Sequence, residues 1–152
     1  MFTRVRFPGF TFVLLLLIAG AVSAETPRPQ TFGDYTVHYS AFTSDTLQAS
    51  VAENYHITRS KNRGMFTVSV MKKSDDTANG VSVRANIIAS ASNLTGQFRQ
   101  FDVREINDGN SIYYISVFHV AHEELLDFVL QIQPEGATQP FTVKFRQQFY
   151  TQ

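Results

Sequence analysis

Asn107-Asp108-Gly109-Asn110-Ser111-Ile112-Tyr113-Tyr114-Ile115-Ser116-Val117-Phe118-His119-Val120-Ala121 is the stretch that decides the fold. From Ile112 onward it is apolar on both faces of an extended chain. Ile112, Tyr114, Phe118 and Val120 lie on one face; Tyr113, Ile115 and Val117 lie on the other. A strand that is apolar on both sides is covered on both sides. Asp108-Gly109 sits just ahead of it, between two strand-like runs. That pair marks a tight hairpin, because both central residues of such a turn need positive φ. The strand before the turn therefore runs antiparallel to the one after it.

The same period of two extends in both directions. Upstream, Asp34 to Ser40 places Tyr35, Val37 and Tyr39 together, and Met65 to Met71 does the same with Phe66, Val68 and Val70. Val81 to Ala91 and Gln97 to Ile106 follow. Downstream come Leu125 to Gln133 and Phe141 to Tyr150, the last with Phe141, Val143, Phe145 and Phe149 opposed by Thr142, Lys144, Arg146 and Gln148. Ser74 to Gly80 and Pro134 to Pro140 read as longer loops. Only Thr46 to Tyr55 breaks the period: Leu47, Val51 and Tyr55 recur every four residues, and Ser44 or Asp45 is placed to cap a short helix. About seven strands with regular turn signals predict an all-β fold, an antiparallel immunoglobulin-like β-sandwich with one short helix; a small closed barrel is the rival. The immunoglobulin Cys…Trp…Cys core is impossible here, since the chain has neither residue type.

The first 24 residues form a secretory signal pattern. Arg4 and Arg6 precede the apolar run Phe10 to Ala19, and Val22 and Ala24 are the small residues before a cut at Ala24–Glu25. The run is short for a bilayer-spanning helix, which needs about 20 residues. Residues 25–30 read as a disordered lead and 31–152 as one sandwich domain, exported to the periplasm with no membrane span after cleavage. Cleavage removes Arg4 and Arg6 from 13 basic residues, so 11 remain against 13 acidic ones. That balance argues against nucleic acid as a partner. The absence of cysteine removes thiol redox, cysteine nucleophiles, cysteine–zinc sites and a lipid-bearing N-terminal cysteine. Ten Phe and six Tyr follow the signal and would fill the core.

Tyr35-Thr-Val-His-Tyr-Ser-Ala-Phe-Thr-Ser44, Val51-Ala-Glu-Asn-Tyr-His-Ile-Thr-Arg-Ser-Lys-Asn-Arg-Gly64 and Val68-Ser-Val70 resemble the signature of a family of small exported Gram-negative bacterial proteins, known only as a domain of unknown function. The resemblance covers essentially the whole chain after the signal. It implies a periplasmic β-sandwich and no activity, cofactor or substrate. Asparagine is usual in that pattern where this chain has Ser40 and Thr43.

Candidate chemistry is sparse. Arg59-Ser60-Lys61-Asn62-Arg63 is the densest basic cluster. It reads either as an anion site or as a solvated loop whose cations satisfy helix C-terminal carbonyls. His38 falls out of phase with Tyr35, Val37 and Tyr39 and so faces away from the core. His119 and His122 with Glu123 and Glu124 invite a metal, but residues three apart on a strand point to opposite faces, and no metal site or cofactor is expected. Asn93-Leu94-Thr95 is a glycosylation tripeptide or a turn. No Gly-x-Ser-x-Gly elbow is present. The leading reading is a non-enzymatic binding or interaction module for an envelope protein or small anionic ligand, through a surface of His38, Ser40, Arg59, Lys61 and Arg63. A small envelope hydrolase using His38 with Ser44 or Tyr55, and an aromatic-lined small-ligand carrier, are the alternatives.

Overall fold

The computed structural model describes residues 27–152. The signal pattern at 1–24 and the start of the lead lie outside the described residues. Among the described residues ten strands build two antiparallel sheets. They are β1 (Gln30–Phe32), β2 (Tyr35–Thr43), β3 (Arg63–Ser74), β4 (Thr77–Ser82), β5 (Ala85–Asn93), β6 (Phe98–Phe101), β7 (Arg104–Asn107), β8 (Ile112–His119), β9 (Glu124–Pro134) and β10 (Phe141–Phe149). The larger sheet runs β1-β2-β3-β8-β7, with β4 paired to the far half of β3; the smaller runs β10-β9-β5-β6. The chain is an all-β sandwich. Gln30, assigned from sequence to the lead, is the first residue of β1.

Each of the seven runs read from sequence is a strand or a pair of strands. Two of the three extra strands arise where the chain changes sheets, and the third is β1, which lies ahead of the first run. Val81 to Ala91 divides at Val83-Arg84 into β4 of one sheet and β5 of the other, and Gln97 to Ile106 divides at Asp102-Val103 into β6 and β7. Val83 and Val103 both pack on the interior, so the apolar alternation runs through each corner without a break. One staple ties the corners together. Arg84 Nε meets Glu105 Oε1 at 3.1 Å, the Tyr114 hydroxyl donates to Glu105 Oε2 at 3.1 Å, and Ala85 N–H donates to that hydroxyl at 2.7 Å. Burial pushes the Tyr114 phenol above its usual pKa.

Loop lengths also differ from expectation. Ser74 to Gly80 is mostly strand: the β3–β4 turn is only Asp75-Asp76, and Thr77 Oγ1 donates to Gly80 O at 2.8 Å. The β7–β8 connection is longer than a two-residue turn. Asn107 still pairs with Ile112, only Gly109 has positive φ (67°), and Asn107 Oδ1 accepts Gly109 N–H at 3.1 Å. The side-chain acceptor closes the turn in place of a second left-handed residue.

The interior lies between the sheets. Val37, Phe66, Val68, Val70, Leu126, Phe128, Leu130, Ile132, Val143 and Phe149 are all at most 1% exposed. The phenylalanines interlock: Phe128 stacks on Phe145 at 4.7 Å, Phe101 meets Phe118 at 4.6 Å, and Phe118 meets Phe149 edge-on at 5.7 Å. Gly64 permits this packing, since a Cβ there would come within 2.6 Å of Phe118 and 2.8 Å of Val120.

A second, smaller apolar cluster sits on the outer face of the larger sheet. Helix α1 (Ala49–Asn54), preceded by a 3₁₀ turn at Ser44–Thr46, covers Met65 and Ile115 with Ala52 and Ile57. Ile115 is thereby buried on the face opposite Tyr114, which is the two-sided cover that the sequence of β8 demands.

Candidate functional site

Helix α1 is expected to carry a Ser44 or Asp45 cap. Instead Gln48 is its N-cap, with no side-chain cap bond, and Ser44 has another task. Ser44 is fully buried. Its hydroxyl lies 2.8 Å from Thr58 O and 3.2 Å from Ser60 O, and accepts Ser60 N–H at 3.0 Å. It pins the loop between α1 and β3 to the end of β2. A hydroxyl with its proton and lone pair so engaged, and closed from solvent, is not placed to act as a nucleophile.

The far end of α1 closes with paired backbone bonds. Ile57 N–H donates to Ala52 O at 2.8 Å and His56 N–H to Glu53 O at 3.1 Å. This is the Schellman arrangement, and the residue just past the helix must then be left-handed. Glycine usually fills that place; here it is His56, at φ 55°. The left-handed conformation costs a side-chain-bearing residue roughly 1–2 kcal/mol. The last carbonyl of the turn, Tyr55 O, accepts from Arg104 Nη2 at 2.6 Å.

These contacts frame a cleft of about 230 Å³ beside the second corner, where the chain leaves β6 and enters β7. His56, Ile57 and Thr58 form one wall, Asp102 and Arg104 another, and Arg63 and the β8 residues Ile115, Ser116 and Val117 complete it. Strand β7 stops pairing at Arg104, opposite Ile115, so β8 runs on past its neighbour into the cleft. Arg63 and Arg104 are exposed. Among the described residues neither has a carboxylate within 4.0 Å, whereas Arg84, Arg99 and Arg146 are each paired, with Glu105, Glu124 and Asp127.

The residues singled out from sequence are distributed as follows. Arg63 lines the cleft. Arg59 does not: its Nη2 donates to Asp45 O at 2.8 Å and fastens the loop to the 3₁₀ turn. Lys61 is exposed at the tip of the same loop. His38 is exposed on the outer face of β2 opposite Ser69, and Ser40 is half-buried opposite Thr67. Ser69 is six residues from Arg63 along β3, about 20 Å at 3.3 Å per residue. Helix α1 and its cluster cover Phe42 and Met65 between them. His38 and Ser40 are therefore not brought onto the cleft, because a straight strand spaces out what the sequence listed nearby. For the same reason His38 does not meet Ser44, and Tyr55 packs into the α1 cluster.

The His119–Glu124 segment is occupied otherwise. His122 Nδ1 accepts Thr151 N–H at 3.2 Å, while the Glu124 carboxylate takes Arg99 at 2.6 Å and Ala121 N–H at 3.0 Å. Asn93 builds a turn: its Oδ1 accepts from Thr95 N, Thr95 Oγ1 and Gln97 N. His56, Asp102 and Arg104 are the cleft residues that sequence reading missed. A signal existed for His56, which directly follows the helical stretch ending at Tyr55. None existed for Arg104, whose place depends on the corner.

The fold and cleft define an all-β sandwich with a basic pocket at a sheet-changing corner. The chain belongs to the family described as a domain of unknown function, DUF4426, which matches residues 29–152. A crystal structure of a DUF4426 family protein from Pseudomonas aeruginosa PAO1 is 30% identical, with a TM-score of 0.69 over 82% of this chain and 95% of that one. FetP of uropathogenic E. coli strain F11, crystallised after recombinant expression in the E. coli periplasm, superposes with a TM-score of 0.56 over 82% of this chain and 94% of that one. Its identity is 9%, so the likeness is one of fold alone. No curated protein matches the chain. Among the described residues no helix is long and apolar enough to cross a membrane.

Proposed function

We propose that this protein is a non-enzymatic binding module of the periplasm that holds an anionic group in the cleft between Arg63 and Arg104. The observation that carries the reading is the pair of exposed guanidiniums on one cleft which, among the described residues, have no carboxylate within 4.0 Å, whereas Arg84, Arg99 and Arg146 each have one. A guanidinium offers five donors in a planar fork suited to carboxylates and phosphates. Arg104 uses one on Tyr55 O, which orients the rest. The buried, engaged hydroxyl of Ser44 weighs against the hydrolase alternative. The signal pattern at 1–24 supports export, and the intact mass of the exported protein checks it: a species retaining Met1 to Ala24 overturns the periplasmic assignment.

Thermal melts with a panel of small anions test the binding reading. A ligand present at 100 times its Kd stabilises by about 2.7 kcal/mol, which raises the melting temperature by several degrees. The wild type is expected to respond and Arg63→Gln not to, with Arg63→Gln melting normally in the absence of anion. A panel that moves neither protein overturns the reading.

A further inference from the structure

The geometry points to a particular occupant, a monoanionic carboxylate on a short branched apolar stem; this rests on the binding reading above. Three features of the cleft converge on it.

The first is charge. Arg63 and Arg104 bring two positive charges and Asp102 one negative charge to the same small volume. One net positive charge remains. A carboxylate neutralises it, whereas a dianion such as phosphate or succinate leaves an excess negative charge facing Asp102.

The second is the division of the lining. The cationic groups belong to one part, and Ile57, Ile115 and Val117 supply an apolar part built on the α1 cluster. An inorganic anion would leave those three side chains unused. The cleft, about 230 Å³, is smaller than the roughly 300–1,000 Å³ of drug-sized ligand pockets, so its occupant is a small acid.

The third is His56. It occupies a left-handed position at which glycine would be the more stable choice. The backbone there needs no imidazole, since both closing bonds are made by main-chain groups. His56 is exposed and lines the cleft, where a ring nitrogen can serve as a further donor to a carboxylate. Conformational cost retained at a cleft wall is the pattern of a residue kept for contact.

The same chemistry could come from a free branched acid or from the last residue of a polypeptide ending in Leu, Ile or Val. The test follows the backbone amides of Ile57, Ile115 and Val117 by NMR in the protein purified after export, during titration with isovalerate, acetate, isoamyl alcohol and phosphate. Isovalerate is expected to bind at least tenfold more tightly than acetate or phosphate, with isoamyl alcohol giving no saturable shift. Arg63→Gln should weaken isovalerate at least tenfold. His56→Gly should weaken it several-fold while raising the melting temperature, a split that a purely structural role for His56 would not give. A leucine-ending pentapeptide with a free carboxylate, compared with its amide, decides the source. Tight binding of the free form alone assigns a chain terminus, and exclusion of both peptides beside tight isovalerate binding assigns a free acid. Acetate or phosphate matching isovalerate overturns the stem while leaving the anion reading standing. No response to any anion overturns both. His56→Gly that leaves isovalerate affinity unchanged removes His56 from the site.

Discussion

The sandwich interior and the small cluster beneath α1 are both apolar, yet they are held by different means. Between the sheets, Phe66, Phe118, Phe128, Phe145 and Phe149 touch ring to ring, and residues from strands across both sheets contribute to one core. Beneath α1, Ala52, Ile57, Met65 and Ile115 are covered by six residues of helix and a loop. That loop keeps its course through single polar contacts: Ser44 to Thr58 and Ser60, Arg59 to Asp45, and Arg104 to Tyr55. A six-residue helix is too short to be stable alone, so its position is borrowed from these bonds. The interior is redundant and the outer cluster is not. The cleft belongs to the outer cluster, where a local change can alter a binding surface without unfolding the domain.

The largest expected effect breaks the interior. A chain ending at Gln139 loses β10, and with it the fully buried Val143 and Phe149 and the half-buried Phe145. Each Phe cut to Ala typically costs 3–5 kcal/mol, against a whole-domain stability of about 5–15 kcal/mol. The truncated chain should show no cooperative thermal transition; a sharp melt would mean that the smaller sheet does not depend on its edge strand.

An intermediate effect sharpens the comparison at the outer cluster. Ser44→Ala strips the hydroxyl from a buried site and leaves Ser60 N–H and Thr58 O without that partner, which typically costs about 1–3 kcal/mol. The melt should remain cooperative. Hydrogen exchange should accelerate across 57–62 and not in β9, whose core residues lie between the sheets and apart from the α1 cluster. Uniform acceleration would show that the two clusters unfold as one.

The smallest effect lies on the exposed face of the smaller sheet. Arg146 grips Asp127 through two bonds, at 2.6 and 2.9 Å, and holds its carboxyl below the usual carboxylate range. A depressed folded-state pKa contributes stability above the unfolded value near 3.9, and the contribution is lost as pH falls through the folded value. Both side chains are solvated, so screening keeps the contribution small. Asp127→Asn should therefore leave the melting temperature nearly unchanged near neutral pH and flatten its fall slightly below about pH 4. An unchanged acid limb would show that the pair is formed equally in the unfolded chain.

Side-chain alternation is a local property of an extended chain, so much of the interior was legible in the sequence. The core positions Val37, Phe66, Val68, Tyr114, Phe128, Val143 and Phe149 all lie in alternating or two-sided apolar runs, and the two-sided run at Ile112 to Ala121 marked a covered strand. The short helical break before Arg59 was legible for the same reason, as a change from period two to period four. The corners were not. Val83 and Val103 continue the alternation while the backbone changes sheets, and only pairing between residues far apart in the chain decides where that happens. The cleft inherits this dependence. Arg63 could be marked by its local charge cluster, but its companions Arg104 and Asp102 come from forty residues downstream and arrive through the β6–β7 corner. His38 and Ser40, adjacent in the reading, are carried away along a rigid strand. The sequence by itself determined which faces are apolar and that the fold is all-β, because both follow from neighbours one or two residues apart. Which polar groups meet was decided only by the tertiary structure, because that depends on sheet pairing between distant segments.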